Sequence, residues 1–142
     1  MEPIKKVKRE TSCLVPYRMR GQDHEFFIQK RSTTAKMSPD KWGIFGGGIE
    51  AGETVEQALM REIMEELTYV PHRAQLFTRY EHATHILNVY IEEVGADFES
   101  LVDVQEGQYG KFMTSEEVQN LKDATPLLPI MIMQINDHLS NA

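Results

Sequence analysis

The sequence predicts a mixed α/β fold, on three observations. Segments rich in β-branched and aromatic residues recur on both sides of one strongly helical stretch, Val55 to Leu67. The chain then closes on helical patterns rather than on further strands. No second strand–helix–strand unit follows the first, which argues against a βαβ repeat.

Taken in order, "TSCLVPYR" and "EFFIQKR" flank the polar "MRGQDH" and read as two strands of a hairpin or meander. "STTAKMSPDK" is a loop, with Pro39 and Asp40 as turn residues. "WGIF" is a short strand leading into Gly46, Gly47 and Gly48, and the helix follows from Val55. "AQLFTRYEH" and "THILNVYIEEV" are the next two strands, with a turn near His82 to Thr84; "GQYGKFMT" is another. "TSEEVQNL" opens a helix, since Thr114 or Ser115 followed by acids has the form of a capping box. The last helix, about Pro126 to Leu139, carries Leu127, Ile130, Met131 and Ile135 on an apolar side.

A chain of 142 residues, 41% hydrophobic and 26% charged, is expected to form one domain over residues 1–142 with a real core. No apolar run reaches the roughly 20 residues of a membrane span, and "MEPIKKVKRE" lacks the apolar centre of a signal peptide. The single cysteine, Cys13, reads as a buried strand thiol and fits a reducing cytoplasm. A net charge of −7 argues against a nucleic-acid polymer as partner. Lys5, Lys6, Lys8 and Arg9 form the only basic run. It reads as a solvated terminus or a local phosphate contact. The eight methionines read as core filler.

The central helix holds an unusual charge pattern. At about 100° per residue with Leu59 as zero, Ile63, Leu67, Met60 and Met64 fall between about 40° and 140°. Glu62, Glu65 and Glu66 fall between about 240° and 340°, on a separate face. Arg61 is the only base in residues 46–67. Like-charge pairs at this spacing cost about 0.2–0.5 kcal/mol each, so a plain solvated face is one reading. The upstream glycines favour another. Without side chains, Gly46, Gly47 and Gly48 let the backbone approach a ligand. Their carbonyls with glutamate oxygens form the hard-oxygen set that Mg²⁺ or Mn²⁺ prefers. A phosphate-cradling P-loop is excluded because "GET" stands where Gly-Lys-Ser/Thr is required. A dinucleotide fingerprint is excluded because three residues, not two, separate Gly48 from Gly52.

Gly47, Glu53, Arg61, Glu62, Ile63, Glu65 and Glu66 follow a longer pattern: glycine, five residues, Glu, seven residues, Arg-Glu, an aliphatic, any residue, Glu-Glu. This resembles the Nudix box of the Nudix hydrolases, at about residues 47–69. "FFIQKRSTTAKMSPDKWGIFGGG" and "EGQYGKFMTSEEV" extend the similarity, toward the MutT-like branch, over most of residues 25–118. The resemblance implies an α/β/α sandwich with a mixed sheet and the box as loop–helix–loop. It also implies Mg²⁺- or Mn²⁺-dependent hydrolysis of a nucleoside diphosphate linked to another group. Carried over, the Gly46 carbonyl, Glu62, Glu65 and Glu66 are expected metal ligands, with Glu106 an additional one in some members. Glu62 is the candidate general base, Glu53 orients Arg61 or reaches a second metal, and Arg31 with Gly47 and Gly48 meets the substrate.

Three departures stand out. Thr68 replaces the usual closing glycine, and a β-branched residue suits the left-handed conformation poorly, so a different helix exit is expected. Phe45 replaces a common proline. The asparagine with which oxidised-guanine enzymes of the family read the base has no match in "KDATP", which weakens that substrate. A nucleoside triphosphate, giving a monophosphate and pyrophosphate, is the leading expectation. A nucleotide sugar, ADP-ribose, a dinucleoside polyphosphate, a non-catalytic nucleotide-sensing module and a metal-binding structural domain are the alternatives. The expected partner is a small nucleotide, with no membrane and with a homodimer left open. Trp42 and Phe45 could stack on a base or pack in the core. His82 and His85 read as structural, because a spacing of three does not share a face on strands.

Overall fold

The structure, a computed structural model, describes residues 8–35, 39–105 and 108–141. Its centre is a mixed sheet of seven strands: β1 (Arg9–Arg20), β2 (Asp23–Lys30), β3 (Trp42–Gly43), β4 (Phe45–Gly48), β5 (Gln75–Glu81), β6 (His85–Glu93) and β7 (Tyr109–Thr114). The helices are α1 (Val55–Leu67), α2 (Phe98–Leu101), α3 (Ser115–Gln119) and α4 (Leu128–Ser140). β1 is the hub. It runs parallel to β6 on one side; on the other, its first half pairs antiparallel with β4 and its second half with β2. β2 also pairs with β3 and β7, and β5 closes the far edge against β6.

Two-residue periodicity distributes the core over both faces of this sheet. Leu14, Phe27, Phe45, Tyr90 and Phe112 pack against Leu59, Ile63 and Leu67 of α1 and Phe98 of α2. Their neighbours in sequence, Val15, Phe26, Ile28, Val89, Ile91 and Met113, pack against Val118 of α3 and Leu128, Met131, Ile132 and Ile135 of α4. The result is an α/β/α sandwich. Among the described residues no helix is long and apolar enough to cross a membrane.

Several expectations need correction. The glycines are not a loop after a strand: Gly46, Gly47 and Gly48 are strand β4, opposite Cys13, Ser12 and Thr11. The four-residue α2 was not foreseen. Ile130 lies exposed, and Leu128 and Ile132 take the buried side of α4 with Met131 and Ile135. Met60 and Met64 are exposed too, so α1 buries Ala58, Leu59, Ile63 and Leu67, a side turned away from the two methionines. Met19 and Met133 are also exposed, which limits the core-filler reading to Met113 and Met131 among the described methionines. Trp42 and Phe45 are both buried; Phe45 stacks on Phe27 at 5.5 Å. Thr68 does take the left-handed conformation, φ 53° and ψ 43°, and its N–H donates to the Met64 carbonyl as a closing glycine's would. The helix exit is therefore unchanged, with the strain borne by a β-branched residue.

Candidate active site

The glutamate helix is anchored at its start. Thr54 and Gln57 form a reciprocal capping box, each side chain bonded to the other's N–H, and the Ser12 hydroxyl donates to the Val55 carbonyl at 2.7 Å. That bond fixes α1 against β1, directly beside the glycine strand. Two of those glycines are dictated by contact. Gly46 has φ 145°, and a Cβ there would lie 2.2 Å from the Ser12 carbonyl. A Cβ on Gly47 would lie 2.4 Å from the Glu62 carboxyl. The missing side chain of Gly47 is thus the berth of the Glu62 carboxylate.

The three glutamates are graded by their angle from the core. Glu66, about 20° from Leu59 on the helical wheel, is pressed inward and accepts from the Gly46 N–H at 2.9 Å. Burial, opposed by that N–H and by Arg31 and reinforced by Glu62 and Glu65, raises its pKa to about 8. Glu62 is intermediate, and Glu65 is 59% exposed.

Arg61 answers the charge crowding. Its Nε and Nη2 donate to both oxygens of Glu53, each at 2.8 Å, Nη2 also to the Gly48 carbonyl at 3.0 Å, and Nη1 to Glu62 at 2.9 Å. Glu65 and Glu50 lie 3.6 and 3.8 Å from Nη1. Hydrogen bonds from Glu53 and Glu62 push the guanidinium's pKa up, and the same bond holds Glu53 down at about 2. Glu53 also accepts from the Glu50 N–H at 2.8 Å, closing the loop before the helix. The expected orienting role of Glu53 toward Arg61 has its geometry here; Arg61 in turn touches Glu62.

The C-terminal end of α1 gathers the other wall. Gln105 N–H donates to the Glu66 carbonyl and Asp103 N–H to that of Leu67. Glu62, Glu65 and Glu66 thereby line a cavity of about 460 Å³ with Gln105 and Gln108. Glu106 lies outside the described residues. Among the described residues no three His, Cys, Asp or Glu side chains are grouped to hold a metal ion. One oxygen each of Glu62 and Glu66 is engaged by Arg61 and Gly46. The donor set nonetheless fits a hard divalent cation: carboxylates and a backbone carbonyl, one carboxyl buried among like charges that such an ion would relieve.

A second cavity, about 730 Å³, opens on the α4 side of the sheet, with Gly46 and Gly47 of the glycine strand in its wall. Arg31 and Arg9 line it with Cys13, Ile44, Leu87, Thr125, Leu127 and Ile130, and with His82 and His85 from the β5–β6 turn. The backbone explains the assembly: Trp42 N–H donates to the Asp123 carbonyl and Thr125 N–H to that of Trp42, which draws residues 123–125 onto β3. Burial pushes the Cys13 thiol up to about 12 and keeps it neutral. Ile44, Leu87 and Thr125 carried no local signal, and the wall residues meet only because segments distant in sequence are neighbours.

A family model described as the NUDIX domain matches residues 7–133. Over 64 residues the chain is 41% identical to the 8-oxo-dGTP diphosphatase of Escherichia coli K12, covering 45% of this chain and 49% of that one. Over 45 residues it is 44% identical to the nucleoside triphosphatase NudI of E. coli DH10B, 32% of each chain. The chain thus spans about half the length of the first curated relative and a third of the second. The crystal structure of the MutT protein from Methanosarcina mazei Go1 has the same fold, with a TM-score of 0.74 at 18% identity over 96% of this chain and 99% of that one. The glycine strand, the clasped arginine and the glutamate helix all lie inside the matched segment, and the chain belongs to the Nudix family.

Proposed function

We propose that the chain hydrolyses a nucleoside triphosphate to a nucleoside monophosphate and pyrophosphate, with Mg²⁺ or Mn²⁺ as cofactor. The Arg61 clasp is the observation that carries this reading: one guanidinium joins Glu53, the Gly48 carbonyl and Glu62, and so aims a carboxylate across the glycine strand. Glu62, Glu65, Glu66 and the Gly46 carbonyl would hold the cation, with Glu106 as a further ligand. When bound, the cation neutralises phosphate charge and lowers the pKa of a water. Glu62 receives that water's proton or orients it, and Arg61 keeps Glu62 from turning away. The water's oxygen bonds to phosphorus as the bridging P–O bond breaks, and pyrophosphate leaves. Arg31, beside both Glu66 and the larger cavity, takes the phosphates; the larger, mostly apolar-walled cavity takes the nucleoside. The names of the two relatives, a diphosphatase and a nucleoside triphosphatase, support the triphosphate class.

A second reading is a nucleotide-sensing module, favoured by one observation: Glu62 and Glu66 are each already bonded to a protein donor, Arg61 and the Gly46 N–H. A panel of nucleoside triphosphates, nucleotide sugars, ADP-ribose and dinucleoside polyphosphates, assayed for nucleotide products and pyrophosphate with Mg²⁺ and with Mn²⁺, separates the two. Cation-dependent pyrophosphate release from triphosphates is expected. Nucleotide binding without turnover on every substrate would establish the sensor instead.

A further inference from the structure

Among the described residues one buried side-chain atom has no hydrogen-bond partner, Oε1 of Gln29. Gln29 is fully buried, and its Nε2 donates to the Ile44 carbonyl at 2.7 Å. A buried acceptor left unpaired costs about 1–3 kcal/mol, so such an atom in a native site has a partner of its own.

Three relations place this residue on the glutamate side of the sheet. Along β2, Phe27 faces α1 while Phe26 and Ile28 face α4, so Gln29 stands on the α1 face. It falls between Phe27, packed with Leu59, Ile63 and Leu67, and Arg31, whose charge reaches Glu66. Its carbonyl partner, Ile44, is two residues from Gly46, whose N–H holds Glu66. Its strand partner across β7 is Gly110, two residues from Gln108 in the wall of the glutamate cavity.

We infer that Gln29 is a positioning residue for the cation site, its Oε1 accepting from a buried water that donates its second hydrogen to Glu66. The water satisfies the orphan acceptor and restrains the innermost carboxylate from behind. Gln29 itself touches neither cation nor substrate. Outer partners of this kind are worth about 10–100-fold in metal affinity. The inference rests on the proposed cation site, and its test is arranged so that the two fail differently.

Mn²⁺ binding is measured by the loss of the free-ion electron paramagnetic resonance signal, without nucleotide, for the wild type, Gln29→Met and Gln29→Glu. Both variants lose the amide N–H that Ile44 uses, but Gln29→Glu keeps an acceptor at the Oε1 position. A roughly tenfold weaker Kd in Gln29→Met, with Gln29→Glu within threefold of wild type, is expected. Equal weakening in both variants would assign the effect to the Ile44 bond and overturn the inference, as would no weakening in Gln29→Met. A wild type that binds no Mn²⁺ would overturn the cation site and this inference together. If Gln29→Met fails to fold, a high-resolution crystal structure of the wild type decides: a water within hydrogen-bond distance of Gln29 Oε1 and Glu66 supports the role, and its absence removes it.

Discussion

The cavity lined by the glutamates and the larger cavity beside the glycine strand are built in opposite ways. On the α1 side the acidic wall comes from one helix, Glu62, Glu65 and Glu66, closed by Gln105 and Gln108, with Glu62 held to Arg61 at 2.9 Å and Glu66 to the Gly46 N–H at 2.9 Å. On the α4 side the wall is drawn from five separate stretches, presents a mostly apolar surface, and has Arg9, Arg31 and two histidines at intervals. The first side demands fixed charge geometry, which tolerates little change. The second needs shape and apolar area, which many side chains can supply. On the proposed function, chemistry belongs to the local motif and specificity to the assembled wall.

The sharpest way to break this division is Glu66→Gln. The amide keeps the shape and can still meet the Gly46 N–H through its oxygen, but it cannot offer an anionic ligand. A fall in kcat of about 10³-fold is expected, with far-UV circular dichroism and melting temperature nearly unchanged. Retained turnover would move the chemistry away from this carboxylate.

Neighbouring glycines give the next contrast. Gly47→Ala places a methyl where the Glu62 carboxylate rests, so the carboxylate must move by an ångström or more. A loss of about 10²-fold in kcat with a stable fold is expected. Gly46→Ala drives its methyl into the backbone carbonyl of Ser12 at a positive φ, and nothing flexible is there to yield. It should cost about 3 kcal/mol or more of stability, read by urea unfolding. Equal behaviour of the two variants would mean that the glycine strand is only a spacer.

This contrast also marks what could be read from sequence. The glutamate face, its arginine and the adjacent glycines were legible because helical periodicity and fixed spacing are properties of contiguous residues. Strand positions were legible for the same reason. The pairing of the glycines with β1 was not, since a glycine run looks like a loop until a partner strand is known to supply its hydrogen bonds. Thr125, Leu87 and Ile44 gave no sign either, for a cavity wall drawn from five separate stretches has no period in the chain. Met60 and Met64 were placed wrongly because the wheel centred the apolar side between Leu59 and Met64, whereas the buried side is turned back toward Ala58 and Leu59.

On the α4 side the effect should be smaller and of another kind. Ile130 is 48% exposed and faces the larger cavity, so Ile130→Ala removes apolar contact with the nucleoside while costing the core little. Loss of two to three methylene equivalents, partly buried on binding, amounts to about 1.4 kcal/mol, or tenfold in KM, with kcat within twofold. A change confined to kcat would mean that this wall takes part in the chemical step and that the division between the cavities is false.

The smallest effect lies where the local pattern misled, at Thr68. A non-glycine residue in the left-handed region costs about 1–2 kcal/mol, and Thr68 bears it because its N–H must reach the Met64 carbonyl to close α1. Thr68→Gly relieves that strain but gives up about 0.4–1 kcal/mol to the freer unfolded chain. It also loses a long contact from Gln105 Nε2 to the threonine hydroxyl, 3.4 Å, too weak to reverse the sign. A net gain of about 0.5–1 kcal/mol follows, seen as a rise of about 2–3 °C in melting temperature. Because the glutamates lie upstream and the Gln105 and Asp103 backbone bonds to α1 do not involve this side chain, kcat should stay the same. A lower melting temperature would show that the hydroxyl contact outweighs the strain. A fall in kcat at higher stability would show instead that the threonine ties the Gln105 wall to the carboxylates, extending the charged site past the end of its helix.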